Sequence, residues 1–175
     1  LKQIKQIETL VNEFSDFARM PKPLLKENNL IEVVNNNIEI LKNLSKDIKI
    51  NFNLKNQKTL NFMFDNEQIS RVFFNLIKNS IESIQEKSTK STDFNKIIDI
   101  EIIERKDYIG INLSDTGIGF LKNNVKQLIK PYFTTKIKGS GLGLSIVNKI
   151  INDHDGSIQF MNIKNGAKIE INLPK

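Results

Sequence analysis

The stretch DTGIGF, residues 115–120, closes a run, YIGINLS (108–114), whose alternation of apolar with small or polar residues reads as a β-strand. A strand that ends on Asp115 and then needs both Gly117 and Gly119 has two readings. The glycines can make a tight turn and nothing more. Alternatively, they let backbone approach a flat ligand while the Asp115 carboxylate meets that ligand's polar edge. Short glycine motifs do not separate the two, so the decision rests on what else the chain carries.

The 175 residues suffice for one domain and an appendage. Apolar residues make up 39% and aromatics 7%, enough for a packed core. No apolar run approaches the ~20 residues of a membrane span, and the first residues do not read as a signal peptide. The absence of cysteine excludes disulfides and thiolate metal sites and fits a reducing compartment. The net charge of +6 and pI of 9.4 permit an acidic partner. The lysines, however, are spread among abundant Asn and Ile, and no basic run forms a dedicated arm, so no nucleic-acid partner is expected.

Residues 1–20 set Ile4, Ile7, Val11, Phe14 and Ala18 at alternating spacings of three and four, a heptad seam. So short a seam needs a partner helix. The PKP at 21–23 ends it, so the chain divides into a helical arm (1–20), a linker (21–29) and a body (30–175). Within the body, 30–44 reads as a helix, and 48–54 and 60–64 alternate as a pair of strands. Asp65 is placed to cap a long helix running to about Glu86, with Ile69, Phe73, Leu76, Ile77, Ser80 and Ile84 on its core face. Strands follow at 97–103 and 108–114, then a long connection at about 118–140 with weak periodicity, a helix at about 141–154, and a closing hairpin. Mixed helices and strands, with successive strands pairing as hairpins, predict an α+β sandwich: one mixed, mostly antiparallel sheet with helices on one face.

Two further motifs bear on the first. On the long helix, FFNLIKNSIES (73–83) sets Asn75 and Asn79 one turn apart, away from the core face. They can be a solvated face of an Asn-rich protein. Yet Asn is a poor helix former, and an amide oxygen is a hard, neutral ligand suited to Mg²⁺, which shares its sphere with phosphates. GSGLGL (139–144) sets glycines at alternating positions just before a helix, where backbone can approach phosphate and the helix N-terminus favours anions. It follows no strand and lacks a Gly-Lys-Ser/Thr ending, which removes the Rossmann and Walker readings and leaves a flexible hinge as the plain alternative. Between the glycine motifs lies PYFTTK (131–136), where Phe133 can anchor a mobile lid and Lys136 can reach a phosphate.

Paired Asn on a helix, Asp-x-Gly-x-Gly after a strand, an aromatic in a lid and Gly-x-Gly-x-Gly before a helix occur here in that order. Over residues 24–175 the chain resembles the ATP-binding domain of sensor histidine kinases, in the Bergerat-fold ATPase superfamily. It is most similar to nitrogen-regulation sensor kinases of the NtrY type. The resemblance implies a two-layer Bergerat sandwich with an ATP lid at about 118–140. Asp115 would accept a hydrogen bond from the exocyclic amine of adenine, and Gly117, Ile118 and Gly119 would form an open wall beside the base. Asn79 would ligate Mg²⁺, with Asn75 lining the phosphate end. Backbone at Gly139, Ser140, Gly141, Leu142 and Gly143 would cradle the phosphates, with Phe133, Thr135 and Lys136 contributed by the lid. Asn75, Asn79 and Lys136 are the implied catalytic residues.

Hydrolytic relatives in the superfamily carry a Glu four residues before the metal-binding Asn; here that position is Asn75, which cannot act as a base. The implied activity is therefore ATP-dependent protein histidine kinase, with an ATP-binding regulatory module or an anti-sigma-type serine kinase of the same fold as the alternative. VNEFSDFARMPKP (11–23) resembles the second helix of a kinase dimerisation hairpin. The one histidine, His154 in NDHDG, lacks the following Glu or Asp and Asn-Pro of an acceptor and reads as a capped helix end. The expectation is a fragment of a larger kinase, acting on a histidine outside this chain and onward on a response regulator receiver domain. It would dimerise through the hairpin and sit in the cytoplasm, anchored to the membrane only through upstream regions.

Overall fold

The structure is a computed structural model and describes residues 4, 11, 14–15, 17–53, 59–120, 127–134 and 140–175. Alternation sets the sheet. Ile98, Ile100 and Ile102 are buried, as are Ile109, Ile111 and Leu113 of the next strand, while the residues between them are less so. In chain order the elements are β1 (Lys26–Asn29), α1 (Leu30–Lys42), β2 (Lys49–Asn53), β3 (Asn61–Phe64), α2 (Asn66–Ser88), β4 (Ile97–Glu104), β5 (Tyr108–Asp115), α3 (Gly143–Asp153), β6 (Ser157–Ile163) and β7 (Gly166–Pro174). Five strands form one sheet in the order β2-β4-β5-β7-β6; β2 runs parallel to β4 and every other pair is antiparallel. The buried face of this sheet and the apolar stripes of the helices share one core. The expected α+β sandwich with a mixed, mostly antiparallel sheet is observed.

One expectation is corrected. The strands at 48–54 and 60–64 do not pair with each other. β2 joins β4, while β3 pairs with β1 in a separate two-stranded sheet. β1 is the polar run KENN, within the segment read from sequence as linker, and it is a strand paired with β3. Its last residue explains its position. The Asn29 side chain caps α1 by accepting from the Ile31 amide at 3.2 Å, and it also accepts from the Leu60 amide at 3.1 Å, so helix start and strand pairing share one oxygen.

The long helix α2 buries Ile69, Phe73, Leu76, Ile77, Ser80 and Ile84, the face read from its periodicity. Asp65 caps it, Oδ1 accepting from the Gln68 amide at 3.0 Å. Oδ2 accepts from the Leu24 amide at 2.8 Å, and the Asp65 amide donates to His154 Nε2 at 3.1 Å. His154 Nδ1 lies 2.8 Å from the Ile150 carbonyl, which fixes the Nδ1–H tautomer and engages both ring nitrogens. The linker, the start of α2 and the end of α3 therefore meet at one residue.

The arm at 1–20 lies largely outside the described residues. Ile4, Val11, Phe14, Ser15, Phe17 and Ala18 are helical. Phe17 and Met20 pack on the core, and the Phe14 ring lies 6.1 Å from that of Tyr132.

Asp65→Ala removes a cap and the tie to Leu24, and is expected to lower stability by about 1–2 kcal/mol. Asp65→Asn keeps one acceptor oxygen and should lose less. Urea unfolding of the three proteins measures the order.

Candidate functional site

A cleft of about 940 Å³ opens between the polar face of α2, the turn after β5 and the start of α3. That is within the size range of small-molecule sites. Because Asn75 and Asn79 are one turn apart on the side of α2 away from Phe73 and Leu76, both line the cleft. Asn75 Nδ2 donates to the Arg71 carbonyl at 2.9 Å, which leaves Oδ1 as the atom it presents outward. Gly143, the first residue of α3, comes close: a Cβ there would lie 3.2 Å from Asn75 Oδ1 and 3.8 Å from Asn79 Nδ2. A side chain at Gly143 would crowd Asn75 and touch Asn79. Leu142, the N-cap of α3, makes no side-chain cap hydrogen bond.

Asp115 closes β5. It is 5% exposed yet lines the cleft. Its Oδ1 accepts from the Gly117 amide at 2.8 Å and its Oδ2 from the Ser80 hydroxyl at 3.1 Å. Burial pushes this carboxyl above the ordinary aspartate value of 3.8; the Gly117 amide, the Ser80 hydroxyl, the Ala167 amide and the charge of Lys87 pull against it. Apolar side chains, among them Ile118, Phe133, Leu144 and Ile169, complete the walls. Apolar side chains beside the buried Asp115 carboxylate suit a flat heteroaromatic ring bearing an amine.

The two glycines after Asp115 allow close packing. A Cβ at Gly117 would lie 2.1 Å from Ser83 Oγ, so this glycine lets the turn press against α2. Gly119 has φ +74°, and its Cβ would lie 2.7 Å from Asn162 Oδ1. That oxygen accepts from the Phe120 amide at 2.6 Å, while Asn162 Nδ2 donates to the Phe120 carbonyl at 2.9 Å. The glycines bind the turn to the helix and the hairpin, and through them hold Asp115 and Ile118 in place.

Of the residues singled out from sequence, Asn75, Asn79, Asp115, Ile118, Gly119, Phe133, Ser140, Gly141 and Gly143 all line the cleft. Gly117 stands behind its wall, and Leu142 is fully buried in the core. Thr135, Lys136 and Gly139 lie outside the described residues. The described residues 127–134 of the connection after β5 turn at 127–132, with Tyr132 at φ +66°. Among the described residues no group of three His, Cys, Asp or Glu could hold a metal by itself. An ion bound to the Asn79 amide oxygen would fill its remaining positions from water and from a ligand's phosphate oxygens, as Mg²⁺ does. Sequence reasoning missed Ser80, Ser83 and Ala167 as parts of the site. Ser80 had a signal, as a hydroxyl inside an aliphatic stripe, where a buried polar group requires a partner.

Residues 64–175 match the family described as histidine kinase-, DNA gyrase B-, and HSP90-like ATPase. The NtrY-like sensor histidine kinase of Rickettsia bellii is 32% identical over 97% of this chain and 27% of its own length. Nitrogen regulation protein NtrY of Azorhizobium caulinodans is 29% identical over 99% of this chain and 22% of its own. The chain thus spans about a quarter of the length of these relatives. The catalytic domain of histidine kinase ThkA superposes with a TM-score of 0.74 at 28% identity, over 87% of this chain and 96% of that one. ThkA in complex with response regulator protein TrrA gives a TM-score of 0.79 at 24% identity, over 99% of this chain and 48% of that one, a likeness of fold. No helix among the described residues is long and apolar enough to cross a membrane. With its cleft, its strand-end aspartate and a family match running from Phe64 to the last residue, the chain belongs to the histidine kinase-, DNA gyrase B- and HSP90-like ATPases.

Proposed function

We propose that this chain is the catalytic and ATP-binding portion of a two-component sensor histidine kinase. ATP binds in the cleft with adenine against Asp115 and phosphates between the Asn pair and the opening of α3. The observation that carries this reading is the buried Asp115 carboxylate in the wall of a cleft that Asn75, Asn79 and Gly143 also line. Mg²⁺, held through Asn79, would neutralise phosphate charge and orient the transferred group. Lys136 and Thr135 belong to the lid over the phosphates in this reading, and Gly139, Ser140 and Gly141 to their cradle. The γ-phosphoryl passes to a histidine outside this chain and then to an aspartate of a response regulator receiver domain.

Transfer is favoured over hydrolysis by the chemistry of Asn75. Its nitrogen donates to a helix carbonyl, and an amide oxygen cannot take a proton from water at neutral pH. The names of the relatives favour a kinase over a regulatory module or a serine kinase. Pairing of arm 1–20 into a dimer hairpin is supported by the exposure of Ile4, Val11 and Phe14, at 67%, 58% and 47%. The membrane anchor of such a kinase would lie in parts of the protein outside this chain.

Asp115→Asn is expected to weaken ATP binding about 5- to 100-fold, because an amide turned toward the adenine amine leaves a donor facing a donor. Titration calorimetry measures it, and unchanged affinity in a folded variant overturns the base-recognition role.

The raised carboxyl value of Asp115 has two consequences of opposite sign. The ionised carboxylate accepts from the amine, so ATP affinity is full above the folded-state value and falls as acid protonates Asp115, at higher pH than for an ordinary aspartate. The fold gains from protonation: this site's contribution to stability is full below the unfolded value of about 3.8 and is lost as pH rises through the folded one. Affinity and unfolding midpoints recorded over the same pH series test both signs, with Asp115→Asn expected to flatten the two curves.

Asn79→Ala should abolish the dependence of ATP affinity on Mg²⁺, and Asn75→Ala should reduce affinity less; a full Mg²⁺ effect in Asn79→Ala removes the metal-ligand role. When the chain is given radiolabelled ATP, Mg²⁺ and the acceptor hairpin of a related kinase, acid-labile label should appear on the hairpin. None should appear on His154, whose two ring nitrogens are already engaged. Acid-stable label would instead indicate a serine kinase.

A further inference from the structure

Ser80 is 2% exposed and lies between Leu76, Ile77 and Ile84 on the core face of α2. A hydroxyl on a helix can satisfy itself locally, as Ser88 does by donating to the Ile84 carbonyl at 2.9 Å. Ser80 sends its one hydrogen elsewhere. It donates across the layer to Asp115 Oδ2 at 3.1 Å, 35 residues away in sequence. Gly117 holds the other carboxylate oxygen at 2.8 Å, so the plane of the carboxylate is fixed at two points by two different elements. Ser80 and Asp115 both line the cleft, so the bond sits at its wall and not behind it.

We infer that Ser80 is a positioning residue for base selection: it aims Asp115 so that an unused lone pair of the carboxylate faces the exocyclic amine of the bound purine. This rests on the reading of the cleft as an ATP site. The physical basis is that a carboxylate oxygen accepts from more than one donor, and each fixed donor narrows where the next can lie. Removal of Ser80 leaves Asp115 with backbone amides alone. The carboxylate can then rotate about its last bond, and the preference for an amine weakens. The phosphate end, held by different residues, is untouched.

The test compares ATP with purine riboside 5′-triphosphate, which lacks the amine, by titration calorimetry on the wild type, Ser80→Ala, Asp115→Asn and the double variant. Ser80→Ala is expected to weaken ATP binding roughly 5- to 30-fold and to leave the amine-free nucleotide within about 2-fold. In the Asp115→Asn background the same change should have no further effect on ATP, because the two residues act as one unit. Ser80→Thr, which keeps the hydroxyl, should retain most of the wild-type preference, and urea unfolding confirms that each variant is folded. Equal weakening of both nucleotides would mean that Ser80 only packs, and overturns the inference; so does unchanged ATP affinity in Ser80→Ala. If the wild type itself binds the two nucleotides equally, the adenine reading of Asp115 fails, and this inference fails with it.

Discussion

The packing of α2 across the sheet is the interaction on which the rest depends. Phe73, Leu76, Ile77 and Ile84 are fully buried on one side of this helix, against Ile98, Ile100, Ile111 and Leu113 of the sheet and Val147 and Ile150 of α3. A helix so anchored cannot rotate without exposing that stripe. Burying even four such side chains is worth several kcal/mol, so the opposite face is fixed with it. The amides of Asn75 and Asn79 are therefore held in place by residues that never meet a ligand. The same anchoring brings Ser80 to Asp115 and Ser83 to the turn, where its hydroxyl accepts from the Ile118 amide at 3.1 Å. Site and core are two sides of one helix.

The start of α2 is tied as firmly as its middle. The Asp65 carboxylate takes one amide from its own helix and one from Leu24, and its own amide goes to His154 at the end of α3. Gln68 adds a bond from Nε2 to the Pro21 carbonyl at 3.1 Å. The segment that joins arm to body is thus attached at the base of the helix that carries the Asn pair. On the other side, the Phe14 ring meets Tyr132 in the segment that follows the turn after β5.

What the sequence revealed follows the range of the forces involved. The stripe of α2, its Asp65 cap and the alternation of β4 and β5 are local patterns, and each is seen where it was read. β1 was missed because KENN has no apolar alternation; it is a strand through its pairing with β3, more than 30 positions away. The partner of β2 was misread because Asn51 pairs with Asp99 across 48 positions, which no local pattern encodes. The site divides in the same way. Asn75, Asn79 and Asp115 were legible as residue types at telling spacings. The reason for Gly117 was not, because Ser83, the neighbour that demands it, is 34 positions away and meets it only in the fold.

Asp115 also shows why its donors are neutral. Burial alone would favour the protonated acid, which has less acceptor capacity for an amine. A lysine or arginine placed against it would restore the charge strongly, but a cation would occupy the lone pairs that a ligand needs and would hold the carboxylate whether or not ligand were bound. Two amides and a hydroxyl oppose the effect of burial more gently, each through one directed bond. Lys87, whose charge also acts on this carboxyl, is engaged elsewhere: its Nζ donates to the Thr116 carbonyl at 2.8 Å and lies 4.6 Å from the centre of the Phe94 ring. Thr116 in turn is fixed to β4, its Oγ1 accepting from the Ile97 amide at 3.0 Å. The cation therefore secures the backbone beside Asp115 and acts on its charge only weakly, which leaves the carboxylate both ionisable and open to a donor from the cleft.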